Sequence, residues 1–161
     1  MTETSDMEGL LLVAVQDLYD GENALGAHLP HLAAVAENDT LASVLTQDVE
    51  RSRGQAERLA SIALQLGGPA QGSENLWMKG ILTDARRDSE TIRAGALLDI
   101  ALVGAMRKAK HAERVSYETA IALCDALSLD HPGSLLEQSR QEEDATDKML
   151  ERLLYRLSQP G

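Results

Sequence analysis

The stretch SENLWMKGILTDARR (residues 73–87) decides how the rest of the chain is arranged, because it lies between two helical hairpins. Each hairpin is closed by a short turn rich in cap and turn residues, AENDTLA (36–42) in the first and LDHPGS (129–134) in the second. Short turns make antiparallel neighbours of the helices that they join. The connection around residues 73–87 is long enough to run the length of such helices, so it carries the chain from one hairpin to the other.

Apolar residues recur with the helical period on both sides of this connection. The predicted helices cover residues 6–36, 40–66, 74–92, 96–128 and 133–158. No segment alternates as a strand would, and an aromatic content of 2% suits closely packed helices better than sheets. The sequence therefore predicts an all-α protein, a ferritin-like four-helix bundle with a long crossover that carries a short fifth helix. We expect a single domain over residues 1–161, with its core within about 6–158.

The net charge of −11 excludes several classes of partner. A strongly acidic chain is repelled by phosphate backbones and by anionic lipid surfaces, so we expect no nucleic acid and no membrane among its partners. No apolar run approaches the roughly 18 to 20 residues of a membrane span. Glu3, Asp6 and Glu8 lie at the start of the chain without a basic segment, which argues against a secretory signal. We therefore expect a cytoplasmic protein.

Charged residues interrupt the apolar stripe near the middle of every long helix. These residues are Glu22, Asp48, Arg51, Lys110, Glu113 and Glu143. In an antiparallel bundle the helix midpoints lie at one level, so the side chains would form one polar layer. Burying them costs several kcal/mol per ion unless they pair or bind metal. We predict a core polar network in which Arg51 and Lys110 each pair with an acid from another helix. The alternative is that a stripe is phased wrongly and its charges face water.

Five segments, in order along the chain, carry a resemblance to a known family. They are QDLYDGEN (16–23), GQAERL (54–59), MKGI (78–81), KHAERVSYETA (110–120) and QEEDATDKML (141–150). Together they resemble the YciE/YciF family of ferritin-like bacterial stress-associated proteins. The resemblance implies a ferritin-like bundle, often a homodimer, with a core site where carboxylates and His can hold two metal ions.

Arg51 and Lys110 depart from the pattern of that family. Its second helix tends to read His-x-x-Glu where this chain has Asp48 and Arg51, and its third tends to read Glu-His-x-x-Glu or Glu-His-x-Glu where this chain has KHAE (110–113). The residues that match are Glu22, Glu113 and Glu143. At Arg51 and Lys110 a cation replaces an expected ligand. Arg has no lone pair to offer a metal, and Lys can ligate only after losing its proton.

The leading hypothesis is a non-enzymatic, stress-associated protein without metal or other cofactor, in which a salt-bridge layer replaces the di-metal centre. The alternative is a diiron or dimanganese carboxylate protein with ferroxidase or oxidase chemistry. Its iron or manganese ligands would be Glu22, Glu113 and Glu143, together with Asp48 or His111. The expected partner in either case is a second copy of the chain, since the resemblance implies a homodimer. Trp77 and Ile81 on the crossover helix would cover either the bundle itself or that partner.

Overall fold

The computed structural model describes residues 3–160 and contains five helices in this range. The helices are α1 (Met7–Val35), α2 (Asp39–Gln65), α3 (Leu76–Thr91), α4 (Ala96–Ala126) and α5 (Asp130–Leu157). No strand occurs among residues 3–160, so the all-α prediction is confirmed. The predicted domain bounds of 1–161 include Met1, Thr2 and Gly161, which lie outside the described residues.

The largest difference from the predicted helices is at the start of α5, which was expected at residue 133 and begins at Asp130. The prediction placed Pro132 before the helix, whereas the structure places it within the first turn. Backbone N–H groups of a first turn have no partner inside the helix, so the missing N–H of Pro costs nothing there.

Side-chain caps set the start of three helices. Asp6 accepts a hydrogen bond from the Gly9 N–H at 2.7 Å at the start of α1. Asn38 accepts one from the Leu41 N–H at 3.0 Å, and Asn75 accepts one from the Met78 N–H at 2.8 Å. Each cap satisfies an N–H that the helix itself leaves without a partner.

The helices form two antiparallel hairpins that pack side by side. Helix α1 packs on α2 and α4 packs on α5, while contacts between α1 and α4 and between α2 and α5 join the hairpins. Helix α3 lies in the crossover and packs against α1 and α4. This is the predicted ferritin-like bundle with one long crossover. Within residues 3–160, no helix has both the length and the apolar character needed to cross a bilayer.

The crossover is fixed to α1 by hydrogen bonds. The Asn75 N–H donates to Asp20 Oδ2 at 2.7 Å, and the Asn75 side-chain amide donates to the Asp17 carbonyl at 2.9 Å. The Trp77 indole N–H donates to Asp17 Oδ2 at 3.1 Å. Gly21 allows this close approach, because a Cβ there would lie 2.6 Å from Asn75 Nδ2. Trp77 and Ile81 both pack on the core of their own chain, which was one of the two predicted uses.

The core consists of two apolar clusters, one toward each end of the bundle. One cluster includes Leu29, Leu45, Leu102, Met106 and Leu150. The other includes Leu11, Leu18, Leu59, Tyr117 and Leu136. Buried polar side chains lie along the helices between these clusters, and that interval holds the candidate site.

Candidate functional site

Five of the six predicted residues are buried at the middle of the bundle. They are Glu22 on α1, Asp48 on α2, Lys110 and Glu113 on α4, and Glu143 on α5, and none is more than 2% exposed. We call this set the polar layer. Each long helix contributes to it at the point where its apolar stripe is interrupted, because antiparallel packing brings the helix midpoints to one level.

The Lys110 ammonium is the centre of the polar layer. Its Nζ lies 2.5 Å from Asp48 Oδ2, 3.1 Å from Glu143 Oε2 and 3.6 Å from Glu113 Oε1. Burial alone lowers the pKa of Lys110, but the neighbouring carboxylates outweigh burial and raise that pKa well above its ordinary value. Lys110 therefore stays charged and pairs with acids from two other helices, as the spacing predicts.

Arg51 does not join the polar layer, and the prediction that it pairs with an acid from another helix is wrong. Its side chain is 29% exposed, and its Nη1 lies 3.8 Å from the carboxylate of Asp48 on its own helix. Its Nη2 donates to Gln47 at 3.4 Å. The reason is the helical period, since the position one turn after Asp48 that faces the core is Ser52, which is 1% exposed.

The polar layer contains more carboxyl groups than cations, and burial favours the protonated form of these carboxyl groups. Burial, followed by the charge of Glu22, raises the pKa of Glu113 well above its ordinary value. Burial likewise raises the pKa of Glu22 to about 8. Burial and the charge of Glu113 also raise the pKa of Glu143.

Polar residues outside the predicted set extend the network between α2 and α5. The Gln55 amide donates to Glu143 at 2.8 Å and to Glu142 at 3.2 Å. Arg58 forms a 2.6 Å ion pair with Glu142 and donates to Ser139 at 3.0 Å. Gln55 could have been found, because it interrupts the apolar stripe of α2. The pairing of Arg58 with Glu142 has no local sequence signal, since the two residues are 84 positions apart.

Three carboxylates of the polar layer lie close enough to share one metal ion. One oxygen from each of Glu22, Glu113 and Glu143 can be chosen so that all three lie within 4.8 Å of one another. Carboxylate oxygens of this kind suit iron or manganese. The geometry of these three acids alone is therefore compatible with a single ion.

The residues do not fit a dinuclear metal centre. In ferritin-like di-metal proteins two helices each supply a Glu and the other two each supply a Glu-x-x-His pair. Here the residues three positions after Asp48 and Glu143 are Arg51 and Thr146, neither of which is His. His111, the only His proposed as a ligand, is half-exposed and lies 2.9 Å from Asp147, outside the polar layer.

The fold and the polar layer together define a ferritin-like helical-bundle protein with a carboxylate-rich centre. A family model described as a domain of unknown function, DUF892, matches residues 6–160. The chain therefore belongs to this family, which is the YciF family that the five sequence segments indicate.

Similar proteins agree with this assignment. Protein YciF of Escherichia coli K12 is 27% identical over 142 residues, which cover 88% of this chain and 86% of YciF. The crystal structure of the E. coli stress protein YciF has a TM-score of 0.91 at 26% identity and covers 96% of this chain and 98% of that one. YcfI of Rhodopseudomonas palustris has a TM-score of 0.88 at 29% identity, with 91% and 94% covered.

A ferritin-like diiron-carboxylate protein from Bacillus anthracis str. Ames has the same fold. Its TM-score is 0.74 at 18% identity, and the match covers 94% of this chain and 99% of that one. At this level of identity the likeness concerns the fold alone. The metal of that protein therefore says nothing about the polar layer of this chain.

Proposed function

We propose that this protein is a non-enzymatic ferritin-like bundle of the cytoplasm, in which the Lys110 ammonium takes the place of a di-metal centre. The observation that carries the proposal is the position of Lys110 Nζ, 2.5 Å from Asp48 and 3.1 Å from Glu143 in a fully buried site. A role in the response to stress is supported by the similarity to YciF, which is a stress protein of E. coli.

The physical case rests on what a cation does in a buried layer of acids. Carboxylates from several helices repel one another unless a positive charge lies between them. A pair of divalent ions would supply that charge in a di-metal protein, and here a covalently attached ammonium supplies part of it. An ion entering beside Lys110 would meet repulsion at the point where an oxygen ligand is needed.

Replacing Lys110 tests this proposal directly. Lys110→Glu adds an oxygen donor and removes the cation, so the variant should bind ferrous iron or manganese where the parent protein binds little. Arg51→Glu is the matched control, because it makes the same charge change at a partly exposed position outside the polar layer. Metal should be measured after gel filtration, together with unfolding in urea, since crowded carboxylates destabilise the metal-free variant. Equal metal binding by the parent and the Lys110→Glu variant would contradict the proposal.

A second candidate function is that of a metal-carrying carboxylate protein. It is favoured by one observation, the close approach of carboxylate oxygens from Glu22, Glu113 and Glu143. In this case the three acids would hold one ion beside Lys110, and the ion would supply redox or Lewis-acid chemistry. The parent protein should then bind metal and the Glu113→Gln variant should not. The first proposal predicts instead that the parent protein itself binds little metal.

A further inference from the structure

A cleft between α1 and α2 leads from the surface toward the polar layer. Its volume is about 320 Å³, which is at the lower end of the range for small-molecule sites. Its walls include the exposed Asn23 and Glu57 and the small residues Gly26 and Ala56. Glu22 and Ser52 also line it, and both are 1% exposed. The cleft therefore connects solvent with a carboxyl group of the polar layer.

Two polar atoms that line this cleft lack a hydrogen-bond partner. Glu22 Oε2 and Ser52 Oγ are both buried, and neither makes a hydrogen bond within residues 3–160. Buried polar atoms in folded proteins nearly always have a partner, so an unpartnered pair calls for an explanation. Hydrogen-bond donors bound in the cleft would supply the missing partners.

The electrostatics of the cleft favour a positively charged donor. Behind Glu22 the polar layer contains further acids and a single buried cation, Lys110. Arg53 at the rim is paired with Glu50 at 3.0 Å, so its charge is balanced locally. Glu57 adds another acid to the lining. An occupant with positive charge would therefore stabilise the ionised form of the Glu22 carboxyl group, which burial otherwise keeps protonated below a pKa of about 8.

Gly26 leaves the cleft wide enough for such an occupant. A Cβ built at Gly26 would lie 3.8 Å from Ser52 Cβ, which is ordinary van der Waals contact. Packing therefore does not require Gly at this position of α1, and Ala is the better helix former. An Ala methyl group would fit without strain but would take space beside Ser52 in the cleft.

The geometry points to a binding site in the α1–α2 cleft for a small organic cation that carries a primary ammonium group. Such a group has three N–H donors, enough for Glu22 Oε2 and Ser52 Oγ with one left for water. The polar layer already binds this chemical group, since Lys110 Nζ lies against three carboxylates. The rest of the cation would lie along the small side chains Gly26 and Ala56.

Titration of the isotope-labelled full chain with propylammonium chloride, followed by amide chemical shifts, tests this site. Saturable shifts are expected at Gly26, Ser52 and Ala56. Tetramethylammonium chloride is the matched probe, because it has the same charge but no N–H donor, and it should give no saturable shift at these residues. Potassium chloride controls for ionic strength.

Two variants and one control extend the test. Gly26→Ala, which narrows the cleft without strain, and Ser52→Ala, which removes an acceptor, should each weaken propylammonium binding by about tenfold, or about 1.4 kcal/mol. Gly104→Ala on α4 should bind as the parent does, because a Cβ there has no neighbour within 4 Å. The inference is overturned if tetramethylammonium binds equally well or if Gly26→Ala binds unchanged. It is also overturned if manganese chloride saturably broadens the amide signals of these residues and propylammonium does not shift them.

Discussion

Lys110 and Arg51 carry the same charge in opposite surroundings, and their replacement should have very different costs. Lys110→Met removes the only cation buried in the polar layer, the one that balances the charges of Asp48 and Glu143, so it should lower the free energy of unfolding by about 3 to 5 kcal/mol. Arg51→Met removes a charged side chain that is 29% exposed and lies 3.8 Å from Asp48, and its cost should stay below about 1 kcal/mol. Urea unfolding at neutral pH measures both, and equal losses would contradict the central position of Lys110.

Glu22 should make the protein less stable as the pH rises from about 5 to 8. Its pKa is raised from 4.5 to about 8 in the folded state, so between these values the folded chain holds a proton that the unfolded chain has lost. The stabilisation is fully present below pH 4.5 and is lost as the pH rises through the folded pKa, at about 1.4 kcal/mol per pH unit. The raised pKa values of Glu113 and Glu143 act in the same direction.

Glu22→Gln supplies the control for this pH dependence. The amide keeps the size of the side chain but cannot titrate. Between pH 5 and 8 the free energy of unfolding of the variant should therefore fall less steeply with pH than that of the parent, by the contribution of about one proton. An unchanged slope would mean that Glu22 is ionised throughout this range and that burial does not raise its pKa as described.

At the scale of helices, Asp99 joins the two hairpins at one end of the bundle. Its carboxylate, 2% exposed, accepts hydrogen bonds from the N–H groups of Glu37 and Asn38, both at 2.9 Å, and so ties the α1–α2 turn to the first turn of α4. Asp99→Ala should cost about 1 to 3 kcal/mol, because it leaves N–H groups without a partner. Asp99→Asn keeps one acceptor and should cost less. Thermal unfolding compares the two variants, and equal losses would show that the acceptor atoms contribute nothing.

Periodicity predicts the helices well and the contacts between them poorly. The turns at 36–42 and 129–134 follow from cap and turn residues that act locally, so the bundle and its crossover could be predicted. The hydrogen bonds by which Asn75 fixes the crossover to α1 could not be predicted, because its partners Asp17 and Asp20 are more than fifty residues away. Nothing local distinguishes these acids from others on the surface.

The polar layer shows the same division between local and distant signals. Polar residues in apolar stripes predicted Glu22, Asp48, Lys110, Glu113 and Glu143. Arg51 was misplaced because positions three and four residues after Asp48 both lie near one face of a helix, and periodicity alone does not separate them. The pairing of Arg58 with Glu142 depends on how α2 meets α5, which the sequence of either helix does not specify.

At the scale of the whole molecule we expect a homodimer, as the family resemblance implies. Leu76 at the start of α3 is 73% exposed, and Leu97 at the start of α4 is 60% exposed. Burying such side chains against a partner lowers the free energy of the assembly. Light scattering coupled to gel filtration should give twice the mass of the 17.4 kDa chain at micromolar concentration. A monomeric mass under these conditions would contradict the expectation.

The metal content of the unmodified protein tests most directly whether Lys110 takes the place of a di-metal centre. Protein purified without chelators and offered ferrous iron, manganese or zinc should hold well under one ion per chain after gel filtration, because the Lys110 ammonium lies against three carboxylates of the polar layer. Elemental analysis gives the stoichiometry, and anomalous scattering from crystals locates any ion. A full equivalent of metal coordinated by Glu22, Glu113 or Glu143 would contradict the account and favour the metal-carrying alternative.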